Sequence, residues 1–398
     1  MRDFLEQKGG SLYFMLCMIV FLFVVYSGNE GNHYIDIPHI EIPILPLYIV
    51  ISLTFVFVAL LCTLRSAKID LIGMLLIAPL IVHLINSLYV GVTSEFYVHY
   101  TTSILSLCVY LITINMNGSP RFIEKMFFLF FVILSIQIVS EYVLSGSVES
   151  HYAFKHDMRI PIGESNALTT KLLPFFAILF SIENNKTKKI VMAVFTFFVV
   201  AITRSRGGII DFICVLSILL LWRGKINVII VLKSMVLFAF LGMAFFFFFD
   251  SEFGQTVFLK NDHSIVERFV RWDKCIDLFW NHPILGNGFY YNVLADNPHN
   301  VVIDLIMRSG LVGFFVALVI SINLLSHVRK NIANKYIRGA FVGLVALFIQ
   351  GCVEIVFFSY VHEIIIWTIA GYLVKKSECL QNEKIGFSGQ VKIGSIIR

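Results

Sequence analysis

Long apolar runs, broken at intervals by short polar clusters, organise this sequence. The runs are continuous rather than alternating, so they predict helices and not the strands of a barrel. A helix needs about 20 apolar residues to cross a bilayer, with a range of roughly 17–25. On that length the chain predicts about twelve spans, at 11–27, 44–64, 69–90, 99–116, 122–144, 166–182, 188–203, 208–222, 226–249, 300–326, 337–358 and 360–374. Only Arg204–Gly207 separates the spans 188–203 and 208–222, which predicts a tight helical hairpin. The expected fold class is all-α: a polytopic integral membrane protein, one membrane domain over residues 1–398. Two polar interruptions stand out, a loop at 145–171 and a larger one at 250–300, and a tail follows at 375–398.

Composition strengthens this expectation. Hydrophobic residues make up 58% of the chain and charged residues 14%, against roughly 25% charged in soluble domains. The 39 phenylalanines suit lipid-facing helices and aromatic belts. The net charge of +5 is spread over short loops, where it sets topology, and is not a nucleic-acid signal. Seven cysteines show no metal-ligand spacing. The apolar stretch Leu12–Tyr26 follows a short charged start, as in a signal peptide, but no small-residue cleavage site comes after it. It reads as an uncleaved first span.

Lysine and arginine set the orientation. With the N-terminus inside, the inner segments hold most of the basic residues, and the outer loops 28–43 and 91–98 hold none. Both termini are then cytoplasmic. The outer basic residues are Lys155, Arg159 and Lys171; Arg204 and Arg206; and Lys260, Arg268, Arg271, Lys274 and Arg308. Glu141, Asp211, Asp304, Arg308 and Glu354 fall inside spans, near predicted outer ends. Charge within a membrane is costly, about 2.5–3.5 kcal/mol at mid-helix, and is usually paired or functional. The pattern predicts a charged chamber at the outer face.

Four constellations are candidates for its chemistry. Thr203-Arg204-Ser205-Arg206-Gly207-Gly208 sets two arginines at a helix start, where backbone N–H groups favour an anion; it reads also as an outer turn snorkelling to lipid phosphates. Arg159 to Asn166 suits phosphate or sugar hydroxyls, and reads equally as a loop ending in a helix cap at Ser165 or Asn166. Within Glu267 to Trp272, Arg268 and Arg271 share one helical face and Phe269 and Trp272 the next, as in an interfacial helix or a plain anchor. His299 stands before a stripe of Asn300, Asp304 and Arg308, four residues apart; it is a candidate for proton transfer, or a surface histidine at a capping turn. His282-Pro283 with Gly286-Asn287-Gly288 reads mainly as a turn. No Asp-x-Asp pair and no nucleotide-binding glycine loop occur, so neither a metal nor a cofactor is expected.

Several of these segments resemble one family. The Arg204–Gly208 element is similar to the Ser-Arg-Gly element of the O-antigen polymerase/ligase superfamily. HPILGNGF at 282–289 resembles its HPxxGxG segment, HNVVIDLIMRSGLVG at 299–313 its His-Asn segment, and RIPIGESNAL at 159–168 a segment of the polymerases' earlier outer loop. The resemblance implies a GT-C-like, metal-independent glycosyltransferase in the bacterial inner membrane with a periplasmic active site. Its donor would be a glycan on undecaprenyl pyrophosphate. By the same resemblance Arg206 and Arg268, with Arg271 as the rival of Arg268, bind the pyrophosphate and His299 activates the acceptor hydroxyl; the constellations above add Arg159, Arg204, Arg271, Asn300, Asp304 and Arg308 as substrate-binding candidates.

The expected activity is polymerisation of O-antigen or related repeat units, on the Arg159–Asn166 segment and the compact length. The alternative is ligation of the glycan to lipid A-core. A chain-length regulator and a flippase are expected partners besides membrane lipid. A transporter of lipid-linked oligosaccharide fits the span number, but transporters place sites at the midplane of repeated halves, and no repeat is visible.

Overall fold

The computed structural model describes residues 19–20, 34–37, 40–43, 49–54, 56–57, 68–90, 94–115, 121–145, 165–203, 205–222, 264–288, 298–352 and 360–394. Arg159 and Arg204, Lys155, Lys260 and Glu354, the expected span 226–249 and most of the spans 11–27 and 44–64 lie outside the described residues. The principal helices are α1 (Leu71–Val90), α2 (Ser94–Asn115), α3 (Arg121–Ser145), α4 (Ser165–Ile182), α5 (Lys186–Ile202), α6 (Arg206–Leu221), α7 (Ser264–Asn281), α8 (Val301–Lys330), α9 (Lys335–Gly351) and α10 (Tyr360–Gly394). Among the described residues the regular structure is helical apart from one antiparallel hairpin, β1 (Tyr34–Ile37) with β2 (Ile40–Pro43), in the register Tyr34 opposite Pro43.

Among the described residues, three helices are long and apolar enough to cross a membrane: α1 over Leu71–Leu88, α3 over Ile123–Ser140, and α8; a shorter apolar helix covers Ala167–Ile182. Their outward faces are apolar too, with Leu88, Phe128 and Phe315 exposed. A helical protein with apolar surface on its long helices fits a membrane rather than water as solvent.

α4 is the centre of the bundle. From Leu172 to Ile178 its side chains are buried on every side, which is what a helix segment apolar all round requires. Phe175 packs on Phe127 and Phe130 of α3 with ring centroids 5.6 and 5.7 Å apart, and Phe176 on Phe212 of α6 at 5.3 Å. α9 runs antiparallel along α4: a Cβ at Gly339 would lie 3.0 Å from the Ile178 Cα, and one at Gly343 3.0 Å from the Pro174 carbonyl oxygen. The small residues at i and i+4 thus let the two backbones touch.

One end of the bundle is rich in half-exposed basic residues. There Lys376 lies over the Tyr336 ring at 4.1 Å and 3.8 Å from Glu124, Lys335 donates to the Ile182 carbonyl, and Arg338 donates to the Trp222 carbonyl. α10 continues past its apolar part to Gly394, so most of the expected tail is helix. Its residues 375–394 contain lysine, glutamate and glutamine, good helix formers, and no proline to stop it.

Candidate functional site

α8 is built around a break. Gly310 has φ 60° and ψ −162°, outside any helix, in a region that only glycine occupies cheaply. A break inside a helix frees backbone donors and acceptors, and buried ones need partners. The turn after α7 supplies them. The Leu311 and Val312 N–H groups donate to the carbonyls of Pro283 and Ile284 at 2.9 and 3.1 Å. The Met307 carbonyl accepts the Asn287 N–H at 2.8 Å. Asn287 also donates its side-chain amide to the Leu278 carbonyl at 2.9 Å and to Met307 at 3.3 Å. From α1, Asn86 donates to the Leu285 carbonyl at 2.7 Å and to the Arg308 carbonyl at 3.4 Å. Gly286, at φ 78°, lies against the main chain of Arg308 and Gly310, where any side chain would collide with it. The HPILGNG turn therefore replaces the hydrogen bonds that the broken helix cannot make for itself.

The entry of α8 is equally constrained. Asn300 is its N-cap: the side-chain oxygen accepts the Val302 and Ile303 N–H groups at 3.0 and 3.2 Å, and the amide donates to the Cys352 carbonyl at the end of α9. Just before it, His299 has φ 49°, the one positive value outside glycine among the described residues. One turn into the helix, Arg308 Nε donates to Asp304 Oδ1 at 2.7 Å in a pair almost wholly shielded from solvent. His83 of α1 lies beside them, its Nε2 3.4 Å from the Ser309 hydroxyl.

α7 carries the loop arginines. Arg268, Arg271, Cys275 and Leu278 fall on one face by helical spacing. Cys275 is buried against Met307 of α8, with Leu278 and Ile303 beside them. That contact turns the half-buried Arg268 and Arg271 toward the bundle. Arg271 also has Glu267 at 3.9 Å, a loose and partly solvated pair. Phe269, Ile276 and Trp280 project on the exposed face.

At the hairpin between α5 and α6, Ser205 caps α6 by accepting the Gly208 N–H at 2.9 Å, and its own N–H donates to the Thr203 hydroxyl. Arg206 is the first residue of α6 and is half-buried. A side chain at position 208 would stand 2.6 Å from Thr169 Cγ2 of α4, so glycine is what lets the tip sit on the start of α4. Behind it Asp211 is fully buried, with neither carboxylate oxygen hydrogen-bonded among the described residues.

These pieces lie at one end of the bundle. Gly208 joins the starts of α6 and α4, α9 runs antiparallel to α4, and the end of α9 meets the start of α8 through Asn300 and Cys352. Buried polar side chains collect there: Lys171 of α4, His362 and Glu363 of α10, Asp211, Asp304, Arg308 and His83. The Glu363 carboxylate accepts hydroxyls from Ser103 and Ser106 of α2 at 3.3 and 3.2 Å. From this end a groove of about 530 Å³ extends along α8, with His83, Ser103, Ser309 and Glu363 at its head and apolar residues such as Ala317, Leu325 and Phe341 below.

Of the residues singled out from sequence, Arg268, Arg271, His299, Asn300, Asp304 and Arg308 thus stand on α7 and on α8 or its entry, tied to each other by direct bonds between the segments. Arg206 stands at the same end on α6. Asn300 is committed to capping, and Asp304 and Arg308 to each other. The sequence reading did not single out His83, Asn86 or Glu363. The signal was present in His83 and Asn86, polar residues three apart in an otherwise apolar helix, and in the pair His362-Glu363 at the start of another.

Fold and site together define a helical protein of membrane-crossing length, with its buried charges and a long apolar groove meeting at one end. Residues 191–318 match the family described as O-Antigen ligase, a segment running from α5 through the broken part of α8. A curated protein from Acinetobacter baylyi (strain ATCC 33305 / BD413 / ADP1), the ComP-specific O-oligosaccharyltransferase, is 23% identical over 299 residues, 65% of this chain and 52% of that protein. The chain thus spans about half the length of this relative. Both matches support the O-antigen polymerase/ligase superfamily.

Proposed function

We propose that the protein is a membrane glycosyltransferase that takes its glycan from undecaprenyl pyrophosphate. The observation that carries this is what one end of the bundle holds: half-buried arginines on α6 and α7, a histidine at the entry of α8, and the head of an apolar groove lined there by Val301, Ser309 and Glu363. From Val301 to Leu325 the groove follows α8 for roughly 35 Å at 1.5 Å per residue, close to the hydrocarbon thickness of a bilayer. It suits a long isoprenoid chain, and the arginines suit the pyrophosphate at its head.

The acceptor hydroxyl attacks the anomeric carbon of the donor sugar. The bond from that carbon to the pyrophosphate oxygen breaks, and undecaprenyl pyrophosphate leaves with the bonding pair. His299 takes the acceptor's proton. Arg206, Arg268 and Arg271 stabilise the charge that grows on the leaving group. Arg159 and Arg204 join them as substrate-binding residues in this proposal. The basic end of the bundle is cytoplasmic by the positive-inside bias and the site is periplasmic, with about twelve spans in the inner membrane.

On the acceptor, the match to O-Antigen ligase and the oligosaccharyltransferase relative favour a ligase-type reaction, in which the glycan leaves the carrier lipid for another molecule such as lipid A-core. Polymerisation on a second carrier-linked glycan, with a chain-length regulator and a flippase as partners, rests on the Arg159–Asn166 segment. Lipopolysaccharide from a strain lacking the gene separates them on a gel. Loss of every attached unit, with polymer left on the carrier, supports the ligase. A single unit still attached to core supports the polymerase. An unchanged pattern, together with no release of undecaprenyl pyrophosphate by the purified protein in proteoliposomes, refutes glycan transfer to either acceptor.

A further inference from the structure

Trp272 of α7 connects the two halves of the site. Its indole N–H donates to the Pro298 carbonyl at 2.6 Å, and its ring stands edge-on to Phe269 with centroids 5.1 Å apart. Pro298 has no N–H of its own, so its carbonyl is the main-chain group through which that residue can be tied. The next residue is His299, held at φ 49°. A non-glycine residue in the left-handed region is strained and persists only where its surroundings enforce it. Here both neighbours are fastened: Asn300 to Val302, Ile303 and Cys352, and Pro298 to Trp272. Trp272 also follows Arg271 directly on the helix that presents Arg268.

We propose that Trp272 is a positioning residue. Its indole N–H holds His299 in the left-handed conformation and in fixed register with the arginines of α7. The proposal rests on the transferase reading for its kinetic consequence, but its geometric consequence is independent of that reading. Displacement of a catalytic group by about 1 Å can cost on the order of a hundredfold in rate, so a strained residue released from one tie loses turnover before it loses affinity.

The test uses the full-length protein in proteoliposomes with a polyprenyl-pyrophosphate-linked oligosaccharide. Trp272→Phe keeps a ring against Phe269 and removes the donor. A second variant replaces Trp272 by 3-benzothienylalanine, which keeps the indole shape with sulfur in place of the N–H, and so remains informative if phenylalanine packs badly. The expected result in both is a fall in kcat of about tenfold or more, with KM for the donor and the melting midpoint unchanged. In parallel, diethyl pyrocarbonate labelling read by mass spectrometry is expected to change rate at His299 and not at the exposed His282. Wild-type kcat with wild-type labelling overturns the proposal. So does a loss of kcat matched by the loss of folded protein. If the wild-type protein transfers no glycan, the transferase reading fails, and the labelling arm alone decides whether Trp272 holds His299.

Discussion

At the scale of single residues, the proposed roles divide by where each side chain stands. Asn300, Asp304 and Arg308 spend hydrogen bonds on capping and on each other. Arg206, Arg268 and Arg271 are half-buried at helix positions that face the polar end. Lysine at these sites keeps the charge but loses the planar fork that meets two phosphate oxygens at once. Arg206→Lys and Arg268→Lys are therefore expected to lower kcat/KM for the lipid-linked donor by about ten- to a hundredfold, or roughly 1.4–2.7 kcal/mol. Full activity in both variants would remove pyrophosphate binding from their role. His299→Ala is expected to abolish turnover while donor binding and the amount of folded protein stay at wild-type levels. Turnover within twofold of wild type would show that another group takes the proton.

At the scale of elements, the broken α8 and the turn 282–288 form one hydrogen-bonded unit, and Asn287 is its centre. Its amide gives both protons to main-chain carbonyls. Asn287→Ala takes this donor from the Leu278 carbonyl and leaves Met307 with the backbone N–H of residue 287 alone, a loss of about 1–3 kcal/mol. Asn287→Asp is expected to be worse, because a carboxylate offers only acceptors to two acceptors; thermal unfolding in detergent, with aspartate below alanine below wild type, checks the order. This element also marks the limit of what was legible beforehand. Apolar run length predicted α1, α3, α4 and α8 to within a few residues, since bilayer thickness imposes it. The 3.6-residue spacing placed Arg268 and Arg271 on one face of α7. The break at Gly310 was not legible, because a lone glycine in an apolar run looks like any other until the turn that completes its hydrogen bonds is beside it. The four-residue stripe of Asn300, Asp304 and Arg308 was legible as a stripe, but spacing does not distinguish an internal ion pair from a substrate contact. The β1–β2 hairpin lay unseen in a polar loop, and the end of α10 was hidden by charged residues that also suit a tail.

At the scale of the whole molecule, the groove along α8 is the proposed seat of the carrier's isoprenoid chain. Ala317→Trp, which fills the groove well below the polar head, is expected to raise KM for a carrier with a full-length isoprenoid chain severalfold and to leave a short-chain analogue unaffected. An equal effect on both substrates would place the chain elsewhere. The break in α8 has a consequence of another kind, in the order of biogenesis. Unsatisfied backbone groups cost several kcal/mol each in hydrocarbon, and the partners of Leu311 and Val312 lie on chain synthesised just before α8 and folded back onto it. The upper turns of α8 cannot settle as a plain hydrophobic span released sideways into lipid. They come to rest only once α7 with its turn has closed over them, so that the settling of α8 in the membrane is also a step in the assembly of the site.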